Sequence, residues 1–224
     1  MHNRREFLAA AVAGTGIAAA QNKPRPATLS QLQRAANDTA RRILIQGGIV
    51  LSMDARTGNL SRGDVLVEGS RITAIGADLS AAARGSLVVD ATDRIVMPGF
   101  IDTHHHQYET LLRGALADGT LGLSNDAPQN YISVIQGVYT PQYLPRDAHI
   151  SELVASLNQI NAGVTTTVDT SQVSNSPEHT DACIAGLRAS GRRAVYAYAT
   201  GQGPGVKFPG DLARLRRDYF STND

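Results

Sequence analysis

The second half of the chain alternates short apolar segments with helical ones, and this order constrains the fold more than any other feature. Segments with strand character are "RIVMPGFIDTH", "VTTTVDT" and "RRAVYAYATG", and helical segments lie between and after them. Strands that alternate with helices form a parallel sheet or barrel that the helices cover. We therefore predict an α/β fold for residues 98–224.

Three helices are predicted in this half of the chain. In "AHISELVASLNQINAG" and "SPEHTDACIAGLRASG" apolar residues recur at helical spacing, and Gly163 and Gly191 stop the two helices. The second helix has Ser176 as its N-cap and Pro177 at its first position. A third helix follows in "PGDLARLRRDYFS". The apolar positions are Ile150, Leu153, Val154, Leu157 and Ile160 in the first helix, Ala182, Ile184, Ala185 and Leu187 in the second, and Leu212, Leu215 and Phe220 in the third.

Residues 42–97 predict a separate small β domain. Short runs of β-branched and aliphatic residues are interrupted by turn-forming segments such as "RTGNLSRG". The stretch "VLVEGSRITAIG" predicts a hairpin that turns at Glu68-Gly69-Ser70. We expect short antiparallel strands in a small β-sandwich or an open sheet. Residues 21–41, with early prolines and a partly helical polar pattern, are interpreted as a linker.

The first twenty residues have the pattern of a targeting segment. Arg4 and Arg5 precede an uncharged, alanine-rich run that ends in small residues suited to cleavage before Gln21. This pattern resembles a bacterial twin-arginine signal, which implies the export machinery as a partner and a periplasmic or exported mature protein. The apolar run is too short for a membrane-spanning helix, which needs about 20 residues. The mature chain is therefore expected to lack a membrane span.

Charge and cysteine content exclude several classes of function. The chain has 21 basic and 20 acidic residues, so there is no basic field to attract nucleic acid. A small-molecule substrate fits better. Cys183 is the only cysteine, which excludes an intramolecular disulfide and a cysteine-held metal cluster. Any metal must be bound by histidine and carboxylate, and a homo-oligomer stays open.

Three consecutive histidines close the first strand of the α/β region. Side chains alternate along a strand, so His104 and His106 should share one face with Asp102, while His105 faces the surrounding helices. In barrel enzymes the C-terminal ends of the strands carry the chemistry. We predict that His104 and His106 bind a metal ion and that His105 does not.

The motif "MPGFIDTHHH" resembles the first-strand motif of the amidohydrolase superfamily, and "AGVTTTVDT" resembles its second strand. The segment "TLLRG" after the histidines is similar to the branch of chlorohydrolases and aminohydrolases. The resemblance implies a TIM (β/α)8 barrel, incomplete here, with a preceding β domain. It also implies zinc or iron, and hydrolytic deamination of a purine, pyrimidine or triazine-like ring by a metal-bound hydroxide. The family's later ligands, its acid-base residue and its final aspartate would lie beyond residue 224, so the catalytic residues are unknown and this span alone is expected to be inactive.

Alternatives stay open for the function and for several residues. One alternative is a cyclic amidase or another amide hydrolase of the same superfamily, and the other is a non-catalytic metal-binding fragment. His149 and His179 are expected to have surface roles at helix starts. Asp169 is interpreted as a cap or as a hydrogen-bond partner of the site, and Asp102 as a residue that orients His104 or pairs within the strand.

Overall fold

Before Gly99, the described residues form five strands, one short helix and a 3₁₀ turn. The computed structural model describes residues 25–122 and 129–222, so the predicted signal lies outside the described residues. These residues divide into two compact units between Pro98 and Gly99. The elements of the first unit are α1 (Leu29–Ala35), β1 (Arg42–Leu51), β2 (Asn59–Glu68), β3 (Arg71–Gly76), a 3₁₀ turn (Ser80–Ala83), β4 (Leu87–Asp90) and β5 (Ile95–Val96).

The strands of the first unit form one mixed sheet in the order β3-β2-β1-β4, with β5 paired to the far half of β1. β2 is antiparallel to both β1 and β3, but β4 and β5 run parallel to β1. The expectation of antiparallel strands throughout is therefore wrong, because β4 and β5 reach β1 through connections that are not hairpins. The sandwich is not confirmed, since the described residues of this unit form a single sheet.

The hairpin predicted at Gly69 is confirmed. Glu68 pairs with Arg71 across a two-residue turn, and Gly69 has a positive φ of 58°. A side chain there would also meet the carbonyl oxygen of Thr39 at 2.8 Å from its Cβ. Glycine is required on both counts.

The interior of the first unit is aliphatic. Leu44, Leu66 and Val88 form its buried core, with Ala74 and Leu79 packed against them. Burial of such side chains from water is the main source of stability for a small sheet.

The second unit is a three-stranded parallel sheet with helices. Its strands have the order β6-β7-β8, and all pairs are parallel. The sheet confirms the three predicted strands, while the incomplete barrel stays a prediction. The elements are β6 (Phe100–His105), a 3₁₀ segment (Gln107–Leu112), a π-helical segment (Ile132–Tyr139), a 3₁₀ turn (Thr140–Gln142), α2 (Pro145–Asn161), β7 (Val164–Ser171), α3 (Pro177–Ser190), β8 (Arg193–Tyr198) and α4 (Leu212–Tyr219).

The segment "RIVMPGFIDTH", predicted as one interrupted strand, is two strands in two sheets. Ile95 and Val96 pair with β1, whereas Phe100 begins β6 and pairs with β7. Proline lacks the backbone N–H that a strand ladder needs, so Pro98 is a suitable point for the chain to leave one sheet before it enters the other.

Helix α2 buries a different face from the one its apolar residues suggest. Its buried residues are small or polar: Ala148, Ser151, Glu152, Ala155 and Ser156. Its large apolar residues are exposed, and these are Ile150, Val154, Leu157 and Ile160. Helix α3 follows the usual pattern, since Ile184 and Leu187 are buried, although Ala185 is exposed. In α4, Leu215 is buried and Leu212 is exposed. Among the described residues no helix is long and apolar enough to cross a membrane.

Candidate metal centre

Two histidine side chains meet at the end of β6. Nε2 of His104 lies 3.1 Å from Nε2 of His106, and the two rings are nearly perpendicular, at 78°. Two imidazole nitrogens that bind one tetrahedral zinc ion at 2.0–2.1 Å are separated by about 3.3 Å. The pair therefore fits a shared divalent ion, and the predicted convergence of these two side chains is confirmed.

The backbone of β7 fixes the orientation of one of the two rings. Nδ1 of His106 lies 3.0 Å from the carbonyl oxygen of Thr170. Because a carbonyl oxygen only accepts hydrogen bonds, Nδ1 carries the proton, and Nε2 of the neutral ring keeps its lone pair for a metal. This is the arrangement that metal-binding histidines usually have.

His105 and Asp102 lie together on another side of the strand. Nε2 of Gln159 in α2 donates to Oδ2 of Asp102 at 2.7 Å and to Nδ1 of His105 at 2.6 Å. His105 therefore faces a helix, as predicted, and burial lowers the pKa of its imidazole. The prediction that Asp102 shares the face of the histidine pair is wrong.

A bulge in β6 explains this difference. Asp102 pairs with Thr167 and His105 pairs with Asp169, so three steps along β6 match two steps along β7. The extra residue shifts the alternation of side chains by one position, which brings Asp102 and His105 to the same side. Asp102 still contacts the motif, because its Oδ1 accepts the backbone N–H of His104 at 3.2 Å.

The histidine pair opens into a cleft of about 540 Å³. The cleft is also lined by His105, by Glu109, Thr110 and Arg113 after the motif, and by Asn158 and Gln159 of α2. The carboxylate of Glu109 is held by two phenols, since Oε1 accepts from Tyr108 at 3.0 Å and from Tyr131 at 2.5 Å. Burial raises the pKa of both tyrosines, which keeps them as hydrogen-bond donors.

A buried polar cluster lies next to the histidine motif, and the sequence did not predict it. Gln107 directly follows His106 and is fully buried. Its Nε2 donates to Oε2 of Glu152 at 2.9 Å, and its Oε1 accepts from Ser156 at 3.3 Å and from Nη2 of Arg192. Its backbone N–H reaches Oδ1 of Asp169 at 3.4 Å. The polar side chain of Gln107 directly after the histidine motif is the only sequence signal for this cluster.

Burial dominates the electrostatics of this cluster. It raises the pKa of Asp169 to about 7 and that of Glu152 well above its usual range. Oδ2 of Asp169 and Oε1 of Glu152 have no hydrogen-bond partner among the described residues. Asp169 is a fully buried strand residue, so its interpretation as a cap is wrong, and its contact with Gln107 places it beside the motif.

His149 in α2 and His179 in α3 do not contact the histidine pair. His179 is held by its own helix start and a neighbouring loop, with Nδ1 2.8 Å from Oγ of Ser176 and Nε2 2.8 Å from the carbonyl oxygen of Tyr143. His149 lies half-buried in α2. In residues 25–122 and 129–222 no third histidine, cysteine or carboxylate completes a metal-binding group with His104 and His106.

Known proteins with related sequences are deaminases. The chain is 37% identical over 87 residues to a 5-methylthioadenosine/S-adenosylhomocysteine deaminase of Thermococcus kodakarensis, which covers 37% of the chain and 18% of that protein. It is 32% identical over 127 residues to a 5'-deoxyadenosine deaminase of Methanosarcina barkeri, which covers 57% of the chain and 27% of that protein. The chain thus spans less than a third of these relatives. No family model matches it.

Two solved structures with a similar fold contain zinc. An atrazine chlorohydrolase mutant from Arthrobacter aurescens TC1, complexed with zinc and atraton, matches with a TM-score of 0.57 and 25% identity, over 68% of the chain and 34% of that protein. These matches agree with the resemblance of the histidine motif to the amidohydrolase superfamily. An adenosine deaminase from Xanthomonas campestris with bound zinc shares the fold of this chain, with a TM-score of 0.58 and 21% identity over 81% of the chain and 40% of that protein.

Proposed function

We propose that this chain carries the first two metal ligands of a hydrolase that deaminates a heterocyclic substrate. His104 and His106 would hold zinc, or iron, at Nε2. The observation that carries the proposal is the 3.1 Å separation of the two nitrogens, with the proton of His106 directed to Thr170. In the overall reaction water adds its oxygen to a ring carbon, the carbon–nitrogen bond breaks, and the amino group leaves as ammonia.

The bound ion would supply an activated water, since a divalent metal lowers the pKa of water from 15.7 to about 7. The chain's own residues orient the ligands and shape the cleft beside them. Thr170 fixes the tautomer of His106, and Glu109 presents a carboxylate that accepts N–H donors of a ring.

The activities of the related proteins support a heterocyclic substrate. They include deaminases of adenosine derivatives and a chlorohydrolase of a triazine, which are hydrolases of electron-poor nitrogen heterocycles. Because the chain spans a minor part of each relative, purines, pyrimidines and triazines all stay within the proposal.

Zinc binding by the chain tests the site directly. The wild-type chain should bind one zinc ion in competition with a chromophoric chelator, and His104→Ala or His106→Ala should reduce the affinity at least about 100-fold, because a single imidazole remains. His105→Ala and His149→Ala are the matched controls and should bind within about twofold of wild type. Equal zinc content in all four variants would mean that the metal lies elsewhere.

Ammonia release tests the reaction. We expect no turnover from residues 1–224, since the described residues supply two ligands and three parallel strands, whereas a barrel needs about eight. A longer form that carries the later strands should release ammonia from at least one aminated purine, pyrimidine or triazine. Hydrolysis of a cyclic amide in place of these substrates would support the amide hydrolase, and zinc binding without turnover in the longer form would support a non-catalytic role.

We also propose export through the twin-arginine pathway, from the pattern at Arg4 and Arg5. Replacing both arginines by lysine should leave the precursor in the cytoplasm, while the unchanged chain should yield a mature product that begins near Gln21. A periplasmic product of normal size from the double variant would contradict this assignment. A homo-oligomer stays a prediction from the sequence.

A further inference from the structure

The buried face of α2 is a polar stripe. Glu152, Ser156 and Gln159 are spaced at i, i+4 and i+7, so their side chains lie on one side of the helix. Glu152 and Ser156 are fully buried, and Gln159 is half-buried. Burial of polar side chains costs stability unless each one is paired.

Two residues of this stripe hold the chain just after the second metal ligand. Glu152 accepts from Nε2 of Gln107 at 2.9 Å, and Ser156 donates to Oε1 of Gln107 at 3.3 Å. Arg192, in front of β8, donates to the same Oε1 and also to Ser156 at 3.2 Å. Both ends of the Gln107 amide are therefore fixed, and Gln107 is bonded covalently to His106.

The third residue of the stripe holds the chain just before the first ligand. Gln159 donates to Oδ2 of Asp102 at 2.7 Å, and Oδ1 of Asp102 accepts the backbone N–H of His104 at 3.2 Å. The bulge between Asp102 and His105 directs the carboxylate to Gln159 of α2. Each histidine of the pair therefore lies within two positions of a residue that α2 holds, Asp102 for His104 and Gln107 for His106.

We propose that the polar stripe of α2 positions His104 and His106, so that Gln107 and Gln159 are positioning residues of the metal centre. The inference rests on the proposed function for the nature of the ion. It explains why Ile150 and Leu157 of α2 are exposed to solvent, while the carboxyl group of Glu152 is buried against Gln107. Groups that orient metal ligands typically change metal affinity 10-fold to 100-fold when they are removed.

Two substitutions test the two contacts in the chain as it exists. Gln107→Met and Gln159→Leu keep the approximate size of each side chain but remove its hydrogen bonds. Asn161→Leu, an exposed amide on the same helix, is the matched control. We expect zinc affinity to fall about 10-fold to 100-fold in the first two variants and less than about twofold in the control. The visible spectrum of bound Co²⁺ should change in the same two variants, which a purely structural role would not require.

Measurements on the metal-free chain separate this proposal from the proposed function. In wild type, the Nδ1 proton of His106 should give a slowly exchanging imidazole resonance, and the backbone amide of His104 should be protected. Gln107→Met should remove the first signal, and Gln159→Leu should speed exchange of the second. A chain that binds no zinc but shows both effects would contradict the proposed function and support the positioning role.

The positioning role has clear ways to fail. It is overturned if folded Gln107→Met and Gln159→Leu bind zinc as wild type does, or if Asn161→Leu loses as much affinity. If Gln107→Met does not fold, Gln159→Leu decides, because it lies at a half-buried position and its thermal midpoint without metal should stay close to that of wild type.

Discussion

The two units of this chain have opposite interiors. The first unit buries aliphatic residues around Leu44. Asp64, the one charged residue buried among residues 25–98, accepts backbone N–H groups from Gly47 and Leu79, both at 2.8 Å. The second unit buries a carboxylate pair, an arginine and several hydroxyls. All of the buried side-chain atoms that lack a partner among the described residues belong to the second unit. A buried polar group with hydrogen-bond partners can have a purely structural role. A buried polar group without partners reduces stability, so its presence needs an explanation such as a functional site.

Removal of Arg192 should have the largest effect on stability. Its guanidinium lies among Gln107, Ser156 and two buried carboxylates, and Arg192→Met leaves Asp169 and Glu152 without a neighbouring cation. The expected loss in the free energy of unfolding is about 3–5 kcal/mol at pH 8. Denaturant unfolding of the metal-free chain measures it, and Arg193→Met, at an exposed neighbour, is the control. If both variants lose the same free energy of unfolding, the buried polar cluster of the second unit does not depend on Arg192.

A cavity in the first unit should cost nearly as much but leave the metal centre unchanged. Leu44 is fully buried, so Leu44→Ala should lower the free energy of unfolding by about 2–5 kcal/mol. Zinc affinity of the folded variant should stay within about twofold of wild type, because no residue of the polar stripe is touched. A parallel loss of zinc affinity would show that the aliphatic unit also supports the site.

The two buried aspartates should respond to the same substitution with opposite signs. Asp64→Asn replaces an acceptor by an NH₂ group that faces backbone donors, so it should destabilise by about 1–3 kcal/mol. Asp169→Asn keeps an oxygen for Gln107 and removes a buried charge, so it should stabilise by about 1–3 kcal/mol above pH 7. Destabilisation by both would mean that Asp169 is satisfied.

The pH dependence of stability checks the same assignment. Asp169 has a pKa of about 7 in the folded chain, because burial disfavours its charge, and a pKa near 3.9 when unfolded. Between about pH 4 and pH 7 the unfolded chain loses a proton that the folded chain keeps, so stability falls as pH rises and levels off above pH 7. Asp169→Asn should flatten this slope in thermal unfolding at a series of pH values. An unchanged slope would assign it to other groups, such as Glu152.

The smallest effects are expected at the unpartnered hydroxyls. Ser151 and Ser174 are buried, and each Oγ lacks a partner among the described residues. Ser151→Ala and Ser174→Ala should change the free energy of unfolding by less than about 1 kcal/mol, and a small gain is expected, since an unsatisfied group is removed. Losses above about 1 kcal/mol, measured by chemical denaturation, would show that these hydroxyls have partners such as buried water.

Local chemistry let the sequence determine several features directly. Turn-forming residues predict the hairpin at Gly69, and the spacing of apolar residues predicts the strands β6 to β8 and the helices α2 and α3. The alternation of side chains along a strand predicts that His104 and His106 converge. The motif also resembles that of the amidohydrolases, and the relatives that match the chain in sequence are deaminases. These features need no information about distant parts of the chain.

The tertiary structure alone decided which groups surround the histidines. The bulge that turns Asp102 to Gln159 depends on how β6 pairs with a strand more than sixty residues away, and the cluster of Gln107, Glu152 and Arg192 joins residues up to 85 positions apart. The sequence also did not predict that Ile150 and Leu157 of α2 are exposed, because the spacing of apolar residues identifies an apolar face but not what the helix packs against. Polar contacts at long sequence separation leave no periodic pattern, so packing, and not local preference, selected the residues that hold this site.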